Sequence, residues 1–298
     1  MSALVVVGDT GVDVLTRPRS TVADGGESPA DIRLVPGGAG ANTAAWLAAH
    51  GVPVALVSRV GDDVAGGAAR AALEAAGVTC RFAVDATLPT CTVVVLVDAE
   101  GGRTMLSDRG AAAVLAVGDL DLTPPPEALA GPQAGPLYRP HLHLSGYVLL
   151  APSSRAAGLA ALEQARARGW TTSVDPQSAE MVLEAGVETF WSWVEGVDLL
   201  LPNEIELEAL GGADLALSHV RAVAATYGAD GARWFSRGAE PLHVPAPPVQ
   251  CRDSTGSGDA FNAGLLATRF SLATPRDALA AGVAAGSTAA TSDGARPA

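Results

Sequence analysis

A chain of 298 residues, 48% hydrophobic and 17% charged, is long enough for a sizeable core and too apolar for disorder. Its formal net charge of −13 argues against non-specific binding to nucleic acid or to an anionic membrane, since either needs a basic footprint. All 19 cationic residues are arginine, which excludes a Walker A lysine or a Schiff base and leaves phosphate contacts to backbone amides, arginine or metal.

Leu4 to Val7 is a short β-branched run and reads as a buried strand. It delivers Gly8, Asp9 and Asp13 to its carboxyl end, where open α/β sheets bind ligands. The residues up to about Val35 are polar and carry proline, which predicts an exposed hairpin or flap. In Pro36 to Ala44, Gly37, Gly38 and Gly40 allow close approach to the backbone. Asn42 either caps the helix predicted over Ala44 to His50 or reaches a ligand hydroxyl. A strand over Val54 to Val57 and a helix over Ala65 to Ala76 follow, the helix stopping at Gly77. Thr90 to Val97 and Arg103 to Ser107 flank Gly101-Gly102 and predict a second hairpin, which with the flap makes a small separate sheet. Arg109 stands at its return. Pro124 to Pro140 reads as a surface connection with a short helix at Glu127 to Ala130.

From His141 the alternation is regular: strand His141 to Leu144, helix Ser153 to Arg168, strand Thr171 to Val174, and helix Ala179 to Trp193 broken at Gly186. A strand over Val197 to Leu201 leads into Pro202 to Glu206, where Asn203 and Glu206 share one face of a helical turn. A strand over Arg221 to Thr226 opens through Gly228 and Gly231 into a hairpin ending at Phe235. Helices are predicted over Ala260 to Arg269, over Arg276 to Ala285 and from Ser287 onward. Such repetition predicts an α/β fold with a mostly parallel central sheet and helices on both faces. Cys80, Cys91 and Cys251 have no C-x-x-C spacing and fit a reducing cytoplasm; neither a signal peptide nor a membrane span is expected.

The chemistry concentrates in Cys251 to Leu266. There an acidic residue precedes a small-residue turn, Asp259 follows the glycines at once, and an apolar helical run comes next. One reading is a turn with a first-turn helix acid. The other is an anion hole built from the amides of Gly256, Ser257 and Gly258, with Asp259 beside it as a base for a hydroxyl. His141 and His143 share one strand face, but no third ligand stands near for a metal. Trp191 and Trp193 read as packing residues, and Tyr147 as a base-stacking residue or a sheet-edge core residue.

Four segments together resemble the PfkB, or ribokinase-like, carbohydrate kinases. Gly37 to Ala44 with Gly51 and Gly61, and Asp253 to Leu266, are similar to the family's two long motifs; Asn203-Glu204-Ile205-Glu206 resembles its N-x-x-E and Thr226-Tyr227-Gly228 its T-x-G. The resemblance implies a ribokinase-like three-layer fold over residues 1–298, a single kinase domain with a β-sheet lid from about 12–36 and 88–110. It implies transfer of the γ-phosphoryl of ATP to a hydroxyl of a small carbohydrate. Asp259 would be the base beside a hole of Gly256, Ser257 and Gly258, and Asn203 and Glu206 would organise Mg²⁺ through water. Asp13, Gly37, Gly38 and Asn42 would hold substrate hydroxyls. Thr226 and Gly228 would line the nucleotide phosphates, with Gly231 and a loop over 284–294 on the adenosine side. In some members a monovalent cation, K⁺ here, sits on carbonyls like those of Asp253 and Thr255. Members often pair through their lids, which implies a cytoplasmic homodimer.

Two departures bear on the substrate. Many ribokinases carry lysine where this chain has Ala39, and glutamate where it reads Ser145-Gly146-Tyr147, so ribose itself does not follow. Arg103 to Gly110 is somewhat similar to the hairpin of 2-keto-3-deoxygluconate kinases; Arg109 either pairs with an acid sugar or is a solvated hairpin residue. Ribose-like, fructose-like and keto-deoxy acid acceptors stay open. A nucleoside kinase of the same fold and a catalytically silent sugar- or nucleotide-binding sensor are the alternatives.

Overall fold

The computed structural model describes residues 3–22, 25–97, 103–126, 139–269, 273–292 and 294–297. Strand β1 (Leu4–Val7) is wholly buried and is followed by the hairpin β2 (Gly11–Pro18) and β3 (Ala30–Gly37). Then come α1 (Ala39–Ala49), β4 (Val54–Gly61), α2 (Val64–Ala75) and β5 (Thr79–Asp85), and the strands β6 (Cys91–Val97) and β7 (Arg103–Asp108). The second half runs β8 (His141–Ser145), α3 (Gly146–Leu150), α4 (Arg155–Ala167), β9 (Thr171–Asp175), α5 (Ala179–Ala185), α6 (Val187–Val194), β10 (Leu199–Leu200), α7 (Glu204–Ala209) and α8 (Gly212–His219). It closes with β11 (Ala222–Thr226), β12 (Ala232–Ser236), β13 (Leu242–Val244), α9 (Ser257–Arg269) and α10 (Pro275–Ala289).

Among the described residues, nine strands form one sheet in the order β13-β12-β11-β10-β9-β8-β1-β4-β5. It is parallel from β11 to β5 and antiparallel only across β11, β12 and β13. Successive side chains of a strand point to opposite faces, so β1 feeds two cores. Leu4 and Val6 pack with Leu265 and Leu279 of α9 and α10, while Val5 and Val7 pack with Leu162, Phe190 and Trp191 of α4 and α6. These are the expected helical layers on both faces.

A separate four-stranded sheet, β3-β2-β6-β7, is the expected small second sheet. The register aligns Asp13 with Val35 and Val93 on one face, and Val14 with Leu34, Val94 and Leu106 on the other. Val95, two residues along from Val93, is 4% exposed, which identifies the Asp13 face as the one turned inward.

Several expectations shift. Helix α1 begins at Ala39, five residues before the expected Ala44, so part of the glycine loop is helix. A Cβ at Gly40 would lie 2.7 Å from Gly8 Cα, so the close seating of α1 on the end of β1 overrides glycine's poor helix propensity. Helix α10 is continuous where two helices were expected, and residues 284–289 of the expected 284–294 loop are helical wall. Strand β5 was not anticipated, although Thr79, Arg81 and Asp85 alternate with Cys80, Phe82 and Val84; Arg81 binds Asp121 and Asp85 binds Arg59. Tyr147 lies in α3 after the central β8, so it is not a sheet-edge residue. The turn at Gly101-Gly102 and the helix at Glu127 to Ala130 lie outside the described residues. Among the described residues no helix is long and apolar enough to cross a membrane.

Candidate active site

The approach to α9 is tied down by Asp253, whose Oδ1 accepts from the Thr255 N–H at 2.9 Å and whose Oδ2 accepts from the Gly294 N–H at 3.2 Å. Gly256 follows with φ 73, and a Cβ there would lie 2.6 Å from Ala295 Cα, so glycine is required on two counts. Among the described residues the N–H groups of Gly256 and Gly258 have no acceptor, whereas that of Ser257 donates to Ser254 O at 3.2 Å. The hole therefore differs from expectation by one amide. Ser257 still presents a buried Oγ without a partner among the described residues. Two free amides, a hydroxyl and the positive end of a thirteen-residue helix converge here, an arrangement that can receive an anion.

Asp259 occupies the first turn of α9 and is 9% exposed. Its Oδ2 accepts from Asn42 Nδ2 at 3.0 Å. Asn42 therefore does not cap α1; Gly38 holds that position, without a side-chain cap. The Asn42 Oδ1 accepts in turn from Arg296 Nε at 3.1 Å, and Arg296 Nη2 donates to Gly37 O at 2.9 Å. Burial, with the charges of Asp9 and Asp13 behind it, pushes the Asp259 carboxyl up to about 8 against the opposing pull of the Asn42 hydrogen bond and Arg296. Asp13 is raised to about 6, first by burial and then by Asp9. Burial lowers Arg296 to about 10. A carboxyl with so raised a proton affinity, beside an anion hole, can take a proton from a hydroxyl.

Asp259 lines one of two cavities that meet at its neighbour Gly258. The first, of about 200 Å³, is polar and takes in Asp175, Gln177, Asn203, Glu206 and Asp259. The second, of about 580 Å³, is walled mainly by apolar residues such as Pro247, Val249, Phe261 and Val283, with Gly228, Gly231 and Gly286. Thr226 and Gly258 line both. Asn203 and Glu206 form a reciprocal cap on α7: the Glu206 N–H donates to Asn203 Oδ1 and the Asn203 N–H to Glu206 Oε2, each at 2.9 Å. Burial raises Glu206 against these bonds. Asp175, at the end of β9, is raised well above the usual carboxylate range by burial and then by Glu206 and Asp259.

A profile of the pfkB family of carbohydrate kinases matches residues 1–298. The chain belongs to that family. It is 31% identical over 278 residues to a fructokinase of Klebsiella pneumoniae, covering 88% of this chain and 82% of the relative. It is 30% identical over 308 aligned positions to an ATP-dependent ribose-1-phosphate kinase of Halopiger xanaduensis, covering 100% and 95%. The crystal structure of a putative ribokinase II from E. coli in complex with ATP and Mg²⁺ superposes with a TM-score of 0.83 at 25% identity, covering 99% and 94%. The fold is ribokinase-like, and the kinase is a phosphotransferase that acts on a hydroxyl group.

In this kinase most of the expected residues fall into three groups. Asn42 bonds to Asp259 and Asp13 acts on its charge, with Gly37 packed on Asp13 and Gly38 on Thr10 and Asp9, while Asn203, Glu206, Thr226, Gly256 and Gly258 wall the polar cavity. Gly228 and Gly231 line the apolar one. Arg109 is not a solvated hairpin residue: its guanidinium lies 4.0 Å from the Tyr147 ring centre and 3.7 Å from Asp9 Oδ2, and its buried Nε has no partner among the described residues. His141 and His143 bind the Ser173 hydroxyl at 2.8 Å, so this face of β8 is a buried polar ladder.

Three residues at the site were not marked by the sequence, and a fourth, Asp9, was placed at the ligand end of β1 without a role. Asp9 accepts from the Gly40 N–H at 3.3 Å; Asp175 and Gln177 stand at the end of β9; Arg296 reaches in from near the end of the chain. Position at the carboxyl end of a parallel strand was the available signal for Asp9 and Asp175. No local pattern marks Arg296.

Proposed function

We propose that this kinase transfers the γ-phosphoryl of ATP to a hydroxyl of a small sugar, with Asp259 as the base. The observation that carries the reading is Asp259 in the first turn of α9, on the wall of the polar cavity, next to the N–H groups of Gly256 and Gly258, which have no acceptor among the described residues, with Gly258 also lining the apolar cavity. Asp13, Gly37, Gly38 and Asn42 hold the sugar hydroxyls, as suits carboxylate acceptors and amide donors facing a polyol. Thr226 and Gly228 contact the nucleotide phosphates, and the apolar cavity beside Gly231 and Gly286 receives the adenosine. Phosphoryl transfer leaves the protein chiefly positioning and charge stabilisation, which amides supply without lysine.

Mg²⁺ fits the polar cavity. Asp175, Glu206 and Asp259 crowd one wall on which no arginine stands, and a divalent cation would relieve that repulsion and offset charge on the phosphates. Among the described residues no three such side chains gather closely enough to ligate a metal directly, which favours Asn203 and Glu206 acting through water. K⁺ would rest on the carbonyls of Asp253 and Thr255, because the Asp253 carboxylate is already engaged.

The whole of residues 1–298 serves as one kinase domain whose small sheet closes over the sugar and excludes water as a competing acceptor. The outward face of that sheet carries Ile32 (63% exposed), Leu34 (73%) and Leu106 (57%), an apolar strip that supports a homodimer through the lid. A cytoplasmic setting accords with the three free cysteines. The test is an ATP-consumption screen over pentoses, hexoses, phosphorylated pentoses, keto-deoxy acids and nucleosides, with and without Mg²⁺ and K⁺. ADP formation on a sugar supports the reading; nucleoside turnover alone would replace the acceptor, and binding without turnover of any acceptor would point to a silent sensor.

A further inference from the structure

Gln177 is, among the described residues, the one non-glycine residue with its backbone in the left-handed region, at φ 70. It stands two residues past the end of β9. The turn is held by Asp175: its Oδ1 accepts from the Gln177 N–H at 2.9 Å, and its Oδ2 accepts from Asn262 Nδ2 at 2.6 Å. Nothing in that arrangement uses the Gln177 side chain. The amide nevertheless lines the polar cavity, and its Nε2 is buried with no acceptor among the described residues, although three carboxylates share the wall. A left-handed backbone and an unpaired buried donor are each unfavourable, and such features persist where a ligand makes use of them.

We propose that the Gln177 side-chain amide donates to an oxygen of the transferred phosphoryl group of the nucleoside triphosphate. The inference rests on the kinase reading of the site. Two residues on the wall of this cavity, Thr226 and Gly258, also line the nucleotide-side cavity, whereas Asp13 and Arg109 do not line it. With no arginine on the wall, anion contacts here fall to neutral donors, and Gln177 is a side-chain amide with its N–H groups unspent.

The experiment is calorimetric titration of the full chain with MgADP and with a non-hydrolysable Mg-triphosphate analogue, for the wild type, Gln177→Gly and Gln177→Glu. Glycine removes the donor and suits φ 70, so its melting temperature should equal or exceed that of the wild type. Its affinity for the triphosphate should fall about tenfold while its affinity for ADP stays within about twofold. Gln177→Glu, which replaces the donor with a charge, should lose more triphosphate affinity and again little for ADP. Equal affinities in wild type and Gln177→Gly, or parallel losses for both nucleotides, would overturn the proposal and leave the kinase reading standing. A wild type that binds neither nucleotide would overturn the kinase reading itself.

Discussion

The Asn42 side-chain amide donates to Asp259 Oδ2 at 3.0 Å, joining the start of α1 to the start of α9 across 217 positions of chain. Its other end accepts from Arg296, so one amide is held between the acid and a buried guanidinium. The orientation of Asn42 is thereby fixed with its NH₂ toward Asp259, which favours the charged form of that carboxyl.

Asp259→Asn should lower turnover about 10³-fold, the range for losing a positioned base, with nucleotide affinity roughly retained. Stability should move the other way. The folded-state value of about 8 lies above the ordinary aspartate value of 3.8, so the folded protein holds this proton more tightly and wild-type stability falls as pH rises between those values. Asn lacks that slope. The melting temperature of the variant relative to wild type should increase from pH 5 to pH 8, and a constant difference would show that Asp259 is ionised throughout.

The acidic limb of kcat/KM in the free enzyme should follow Asp259, activity rising with pH toward about 8 as the base form appears. Asn42→Ala removes a bond that lowers this value, so the limb should move to higher pH. Arg296→Gln removes a nearby positive charge and should move it the same way, with a further rise in KM for the sugar as Gly37 and Asn42 lose their anchor. Limbs that stay in place in both variants would separate Asn42 and Arg296 from the titrating group.

Glu206→Gln should raise the Mg²⁺ concentration for half-maximal rate about tenfold, the scale for removing an outer-sphere partner. The glutamine oxygen can still accept from the Asn203 N–H, so the melting temperature should change little. An unaltered Mg²⁺ titration would confine Glu206 to capping α7.

Arg109→Gln should reduce kcat/KM for acid sugars at least about tenfold more than for neutral ones if its Nε, without a partner among the described residues, meets a carboxylate. Asp9 already takes part of this charge at 3.7 Å. Equal losses on both substrate classes would assign Arg109 to holding Asp9 and Tyr147.

Much of this protein follows from local rules. Buried β-branched strands, helices with glycine stops and the alternation from His141 onward determine a parallel sheet with helices on both faces, because each depends on side-chain period and short-range sterics. Asn203 with Glu206 was legible for the same reason: three residues apart along a helical start, they face one another whatever the rest of the chain does. Helix α1 was misplaced because its glycines look like a loop until Gly8 packs on them. The Asp9–Arg109 pair, the left-handed turn at Gln177 and the reach of Arg296 to Gly37 lie beyond any local pattern. Each is decided by segments brought together only on folding. The raised proton affinity of Asp259 belongs with them, since burial and the charges of Asp9, Asp13 and Arg296 exist around it only in the tertiary structure.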